Sequence, residues 1–292
     1  MNEIAESIWE IRGSAHGKTV VILGGIHGNE RTGIEVVQRL RDLFISEKNR
    51  IASGTLILAL GNLEAIKLNR RFTKDGKDLN RLFSDKHFSQ APDGTPEDAR
   101  SRLLAPFLAQ ADILLDLHAT NKPSVPFFVC ADTERHLDVC RYFSAGRLLA
   151  DPNHVLGGEP VTTDEYVDLC GGVGVCYETG FAADTSRAHE VVEEVLMLLR
   201  GVGIVQDDIP PKSRPRSKEI FVLAGRIDLD ARGFRFADQK GSESFEEIKK
   251  GEIIGFAGRE PIVSEEDGVL VFPKIPEHWK IGSPVVYLAK HA

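Results

Sequence analysis

The sequence predicts an α/β protein: a mostly parallel, doubly wound sheet followed by a small all-β domain. Three observations predict it. Apolar runs alternate with segments of helical period up to about residue 205, and residues 206–217 (QDDIPPKSRPRS) are rich in proline and charge. From Glu219 onward the pattern changes to short strands broken by glycine. Strands alternating with helices build parallel sheets, whereas short strands with regular turn signals build barrels or sandwiches. The chain therefore divides into an α/β unit at 1–205, a linker at 206–217 and a small β domain at 218–292.

The elements follow in order. Residues 8–11 read as a short edge strand. Residues 20–23 form a buried strand that leaves the sheet through Gly24-Gly25, and Ile34, Val37, Leu40 and Phe44 then recur at helical spacing. Residues 55–60 (TLILAL) are a second buried strand. The stretch from Gly61 to Ser84 reads as an irregular polar loop, and long loops of this kind are often functional. It offers Arg70, Arg71, Asn80 and Arg81 as donors, while Lys74, Asp75 and Lys77 read as solvated surface. Thr95-Pro96-Glu97 opens a helix that continues through residues 99–109. Strands at 113–117 and 127–130, a helix at 135–149, a last strand at 173–177 and a helix at 191–199 complete this half. Beyond the linker, IFVLAG, FRFAD, IIGFAG, GVLVFP and PVVYLA read as five short strands.

Composition narrows the function class. A chain of 292 residues can bury a sizeable core, and its net charge of −8 argues against a nucleic-acid partner. The N-terminus MNEIAESIWEIRG lacks the basic start and apolar run of a signal peptide, and no apolar stretch approaches the roughly 20 residues of a membrane span. Cys130, Cys140, Cys170 and Cys176 show no CxxC spacing and read as reduced core thiols of a cytoplasmic protein. The expected partner is a small molecule, and the sequence leaves a homo-oligomer open.

The chemistry gathers at strand ends. His27 and Glu30 lie three residues apart on a strand-to-helix turn, where open α/β sheets place their ligands. An imidazole and a carboxylate at this spacing can close on one Zn²⁺. Asp116 and His118 alternate with Leu117 and so share one face of their strand, which makes His118 a third ligand candidate. Taken singly, HxxE is also a common polar turn and a strand-end histidine a common core residue. Glu178, directly after VGVCY, projects into the cleft that these strand ends share. Three ligands with an open fourth position suit a catalytic zinc, which acidifies a water while a carboxylate takes its proton and a cation steadies the oxyanion.

The motifs GGIHGNE, RRF…DLNR, LDLH and YETG, in this order, resemble the succinylglutamate desuccinylase/aspartoacylase family of the zinc carboxypeptidase clan. The resemblance runs from about residue 19 to residue 200, and the small β domain after it suits the family. It implies a zinc-carboxypeptidase-like fold and one Zn²⁺ per chain held by His27, Glu30 and His118. It implies Glu178 as general base, Arg71 polarising the scissile carbonyl, and Asn80 with Arg81 gripping the substrate's α-carboxylate. Two extra residues between Arg71 and DLNR leave Arg70 as the alternative to Arg71. The implied activity is hydrolysis of a small N-acyl amino acid. A carboxypeptidase or amidase acting on a small peptide, and a non-catalytic binding protein on the same fold, are the alternatives. An intact Glu178 argues against the second. Asp116 is expected to orient a ligand from behind.

Specificity is read from a missing group. Aspartoacylases place an arginine shortly before the catalytic glutamate, to hold the second carboxylate of N-acetylaspartate. Residues 162–174 here (TTDEYVDLCGGVG) contain no arginine or lysine and carry Asp164, Glu165 and Asp168 instead. Either these acids form a plain helix face or they line a pocket for a neutral or basic side chain. On both readings N-acetylaspartate is expected to be a poor substrate.

Overall fold

The computed structural model describes residues 1–46, 51–206 and 217–292, so the linker expected at 206–217 lies, except for its two end residues, outside the described residues. Strands β1 (Asn2–Ala5) and β2 (Ile8–Arg12) pair antiparallel and precede the long β3 (Ala15–Gly24). The segment expected as the edge strand is thus one strand in from the edge, which β1 occupies. Helix α1 (Arg31–Ile45) and strand β4 (Ser53–Leu60) follow.

The loop expected to be irregular contains a helix, α2 (Leu63–Leu68), and a 3₁₀ turn at Leu79–Arg81. Asn62 caps α2 by accepting from Ala65 N at 3.0 Å. Only Ala65 of α2 is buried, so the helix shows no apolar stripe in the sequence. Next come α3 (Asp85–Phe88), α4 (Pro96–Ala109), β5 (Ile113–Thr120) and β6 (Phe127–Val129). The helix expected at 135–149 is a shorter α5 (Glu134–Cys140), followed by a strand, β7 (Arg147–Ala150). Parallel pairing of β7 with both β6 and β9 (Glu219–Asp228) overrides the helical reading of these apolar residues. Before β9 the chain makes α6 (Thr163–Leu169), β8 (Gly174–Phe181) and α7 (Ala188–Gly201).

After β9 every described element is a strand or a 3₁₀ turn. The strands are β10 (Phe234–Phe236), β11 (Glu246–Ile248), β12 (Ile253–Ala257), β13 (Glu260–Val263), β14 (Gly268–Val271) and β15 (Pro284–His291). Four of these C-terminal strands, β9, β15, β14 and β11, continue the main sheet through the β7–β9 pairing. The order is β1-β2-β4-β3-β5-β8-β6-β7-β9-β15-β14-β11, with β10-β12-β13 as a separate small sheet. The sheet is mixed rather than mostly parallel. Its centre, β4-β3-β5-β8, is parallel, while β8–β6 and the β1-β2-β4 and β9-β15-β14-β11 flanks are antiparallel.

Period-two alternation feeds two cores, as expected of a sheet covered on both faces. Val20, Ile22, Leu115 and Leu117 pack with Val36, Val37 and Leu40 of α1 and with Val191, Val195 and Leu198 of α7. Val21, Leu23 and Leu114 face the other way, onto Leu79, Leu104 and Leu108, and Val167 of α6. Cys130, Cys140 and Cys176 are buried free thiols, whereas Cys170 is exposed. No helix among the described residues is long and apolar enough to cross a membrane.

Candidate active site

His27 and Glu30 occupy the turn between β3 and α1, with Glu30 at the N-cap. Two close approaches fix that turn. A Cβ on Gly33 would lie 2.6 Å from Leu117 O, and one on Gly28 would lie 2.1 Å from the Ala65 carbonyl carbon. Glycine at these two positions lets α1 rest on β5 and α2 rest on the turn. The alternation that buries Leu115 and Leu117 on the α1 side turns Asp116 and His118 to the opposite face. In the β5–β8 register His118 stands beside Glu178. Both residues lie inside their strands, since β5 runs on to Thr120 and β8 to Phe181.

Three side chains converge. His27 Nδ1 lies 2.8 Å from Glu30 Oε1, His118 Nδ1 lies 3.1 Å from Glu30 Oε2, and the two Nδ1 atoms are 3.2 Å apart. All three residues are buried, and one ligand atom from each falls within 4.8 Å of the others. The far ring nitrogens are spoken for. His27 Nε2 meets Asp78 Oδ1 at 3.0 Å and His118 Nε2 meets Asp116 Oδ2 at 2.9 Å. A carboxylate behind each imidazole holds the tautomer that presents Nδ1 as a lone pair. Two ring nitrogens 3.2 Å apart, with a carboxylate against both, form a donor set that could hold a metal ion. Ligands 2.0–2.1 Å from a tetrahedral metal are about 3.4 Å apart, so the donor set fits such an ion.

The electrostatics agree. Burial opposes charge on His118, but Asp116 and Glu30 outweigh it and lift its pKa well above the usual imidazole range. Burial likewise opposes charge on Glu30, and the two histidines overcome it and hold its carboxyl far below the ordinary value.

Glu178 behaves in the opposite way. Burial pushes its pKa up to about 8, with His118 opposing and Glu30 reinforcing the shift. Its Oε2 is buried and has no hydrogen-bond partner among the described residues. Arg71 reaches the site from the loop after α2. Its Nη1 is 3.4 Å from Glu30 Oε1 and its Nη2 is 3.0 Å from Asp78 Oδ2. Arg70, by contrast, is exposed at the end of α2. The geometry brings together His27, Glu30, His118, Glu178 and Arg71, and leaves Arg70 out. Asn80 is buried and accepts from Thr163 N through Oδ1, and the half-buried Arg81 donates to Asn80 O at 2.8 Å.

The family model described as the succinylglutamate desuccinylase/aspartoacylase catalytic domain matches residues 16–198, more than half of the chain. The chain belongs to the succinylglutamate desuccinylase/aspartoacylase family. A succinylglutamate desuccinylase of Vibrio cholerae is 25% identical over 277 residues, covering 88% of this chain and 76% of that protein. A probable aspartoacylase of Nostoc is 32% identical over 106 residues, 35% of each chain, so the match spans about a third of that relative's length. The crystal structure of a Vibrio cholerae succinylglutamate desuccinylase superposes with a TM-score of 0.77 at 20% identity, covering 98% of this chain and 85% of that one. Murine aminoacylase 3 superposes with a TM-score of 0.72 at 21% identity, covering 96% of both chains. At these identities the superpositions establish the fold alone.

This member of the family has two groups in place that its sequence did not single out. Asp78, the acid of DLNR, bridges His27 and Arg71. Burial raises its pKa, but Arg71 and His27 more than reverse that and hold it well below the ordinary range. The second is Lys274, between β14 and β15. Among the described residues its ammonium has no hydrogen-bond or ion-pair partner, only the Tyr287 ring at 5.8 Å. Burial, then the charges of Arg71 and Arg81, push its pKa down to about 8. Tyr287 is in turn paired across strands with Arg226, and Lys280 Nζ sits 5.7 Å over the Phe72 ring, beside Arg71.

Two of the three acids of α6 are engaged by neighbouring groups. Glu165 closes a capping box with Thr162 and meets His154 at 2.8 Å, and Asp168 accepts from His136 and from Gly174 N. Asp164 is buried, and burial with Glu165 pushes it up to about 7. The expectation that N-acetylaspartate is a poor substrate therefore rests on the absent arginine alone, and a cation from elsewhere in the chain would reverse it.

Proposed function

We propose that this protein is a zinc-dependent amidohydrolase that cleaves a small N-acyl amino acid to a carboxylate and a free amino acid. The observation that carries the reading is Glu178, a buried carboxylate with one oxygen unengaged, beside a His₂Glu ligand set and an arginine. A metal store has no use for such a base. Zinc held by His27, Glu30 and His118 supplies Lewis acidity toward a water and the scissile carbonyl. Glu178 takes the water's proton and returns it to the departing nitrogen. Arg71 faces the charge that develops on the carbonyl oxygen. Arg81, with Asn80, holds the α-carboxylate, a task suited to a planar fork of donors. Residues from 218 onward narrow the cleft, a role supported by Lys280 lying over Phe72.

Hydrolysis of matched N-acetyl, N-succinyl and N-formyl amino acids by zinc-loaded protein tests the reading, and no turnover across the set would overturn it. Protein purified without chelator is expected to carry one zinc per chain, and His118→Ala is expected to lose it. Unchanged zinc in that variant would remove His118 from the ligand set.

Lys274 supplies the specificity reading. An ammonium without a hydrogen-bond or ion-pair partner among the described residues, close enough to Arg71 and Arg81 to feel their charge, favours a substrate with a second carboxylate, so N-acetyl-Asp or N-succinyl-Glu should exceed N-acetyl-Met in kcat/KM. Hydrogen bonds to charged groups contribute about 1.5–3 kcal/mol, so Lys274→Met should cost about tenfold or more on the doubly charged substrate and little on the neutral one. The pH dependence has a definite sign. With a pKa pushed down to about 8, Lys274 is charged below that pH and neutral above it. kcat/KM for the doubly charged substrate should therefore fall on an alkaline limb near pH 8, and the limb should vanish in the variant. A preference for N-acetyl-Met, or a limb that survives Lys274→Met, would exclude this role.

A further inference from the structure

The segment that delivers Arg71 has little regular structure. It runs from the end of α2 to the 3₁₀ turn through two left-handed residues, Asn69 (φ 50°) and Asp75 (φ 61°). Its backbone hydrogen bonds sit mostly at its ends, Asn69 N to Ile66 O and Arg70 N to Ala65 O at one and Arg81 N to Asp78 O at the other, with Gly76 N to Thr73 O between them. The guanidinium end of Arg71 is held by Asp78 and Glu30. The backbone end is held from the far side, by α4.

Glu97, in the first turn of α4, has no exposed surface. Its Oε1 accepts from Thr73 N at 2.9 Å, two residues after Arg71, and from Asn62 Nδ2 at 3.0 Å. Asn62 caps α2 and donates its own N–H to Gly25 O at 2.8 Å, on the turn that carries His27. One carboxylate oxygen therefore joins the arginine loop, the start of α2 and the ligand turn. Gly76 closes over it, and a Cβ there would lie 2.7 and 2.8 Å from the two carboxylate oxygens. Arg100, one turn further along α4, fixes the same helix end to the exit of β4 through Leu60 O and Gly61 O.

Burial opposes the charge on Glu97, but the bonds from the Thr73 backbone, Asn62 and the Thr73 side chain outweigh it and hold the carboxyl below its ordinary range. Its Oε2 has no hydrogen-bond partner among the described residues, so the bonds that keep it ionised are those that tie it to the arginine loop and to Asn62. What the group achieves is position.

We propose that Glu97 is a positioning residue for Arg71, setting the guanidinium through the Thr73 N–H. The inference rests on the reading of Arg71 as the group that faces the developing oxyanion. Displacements of about 1 Å in a reacting constellation cost about 10²-fold, so Glu97→Ala should lower kcat tenfold to a hundredfold. KM should stay within about twofold and zinc content should be unchanged. Glu97→Gln keeps an oxygen able to accept both bonds, so it should restore kcat to within a few-fold of the parent protein.

The deciding measurement is a double-mutant cycle on the zinc-loaded full chain. In an Arg71→Ala background, Glu97→Ala should cost less than about twofold in kcat, because the group it positions is gone. The same loss in both backgrounds would overturn the proposal. So would unchanged kcat in Glu97→Ala alone, or a Glu97→Gln variant as impaired as the alanine. Full kcat in Arg71→Ala would instead overturn the reading of Arg71, a separate and recognisable failure. Should Glu97→Ala not fold, Glu97→Asp replaces it, because that variant keeps the charge and draws it back from Thr73 N by one methylene.

Discussion

Glu178→Gln is expected to lose about 10²–10⁴-fold in kcat while keeping the fold and the metal, the range typical of a lost general base. The amide has the volume of the carboxyl and no basic oxygen. The site supports the size of the effect, since Glu178 Oε2 has no competing donor and the residue stands in register with His118. Its raised pKa also makes a stability claim. Burial first, then the Glu30 and Asp116 charges, lift it to about 8 against the opposing charges of His118 and Arg71. A group raised in the folded state contributes stability that is full below its unfolded pKa, roughly 4.5, and is lost as pH rises through the folded value. In zinc-stripped protein, glutamine removes that loss. The melting temperature of Glu178→Gln relative to the parent should therefore climb between about pH 5 and pH 9. Near-parental kcat on the best substrate would exclude Glu178 as the base, and a flat difference in melting temperature would exclude the buried charge.

The parts of the fold that could be read from the sequence are those whose signal is local. Strands β3, β4 and β5 are covered on both faces, so they appear as continuous apolar runs, and the metal candidates lie on or beside them. The same locality explains the errors. In α2 only Ala65 is buried, so its apolar residues mark no face. Strand β7 follows buried Val139, Cys140, Tyr142, Phe143 and Ala145, and its neighbours β6 and β9 decide its conformation. Sequence alone could not disclose that Asp78, seven residues after Arg71 and 51 after His27, turns back to meet both. Lys274 comes within range of the Arg71 and Arg81 charges from the far end of the chain, after strands that continue the main sheet. The three metal candidates were legible because the turn after one apolar strand and the body of another carry them. The groups that set their charge balance come from loops that only tertiary packing brings together.

Arg71→Ala is expected to lower kcat by about 10²–10³-fold, the cost typical of removing one oxyanion donor, with a smaller change in KM. The arginine cannot shed its charge. Burial opposes the charge, but Asp78 and Glu30 more than compensate and raise its pKa further. Its fork is also fixed, with Nε at 3.3 Å and Nη2 at 3.0 Å on the same Asp78 oxygen. That leaves Nη1, 3.4 Å from Glu30 Oε1, as the donor on the ligand side. Arg71→Lys should recover only part of the rate, since a flexible ammonium keeps the charge and loses the fork. Arg70→Ala is the control, because Arg70 is exposed and should turn over substrate as the parent does. Asp78 also backs His27, so zinc must be measured in every variant, and the kcat comparison made at full occupancy. If Arg70→Ala loses the rate and Arg71→Ala keeps it, the two arginines exchange roles and the loop must rearrange on binding substrate. If Arg71→Ala instead raises KM at constant kcat, Arg71 binds substrate and transition state equally, and the oxyanion must be held by another group.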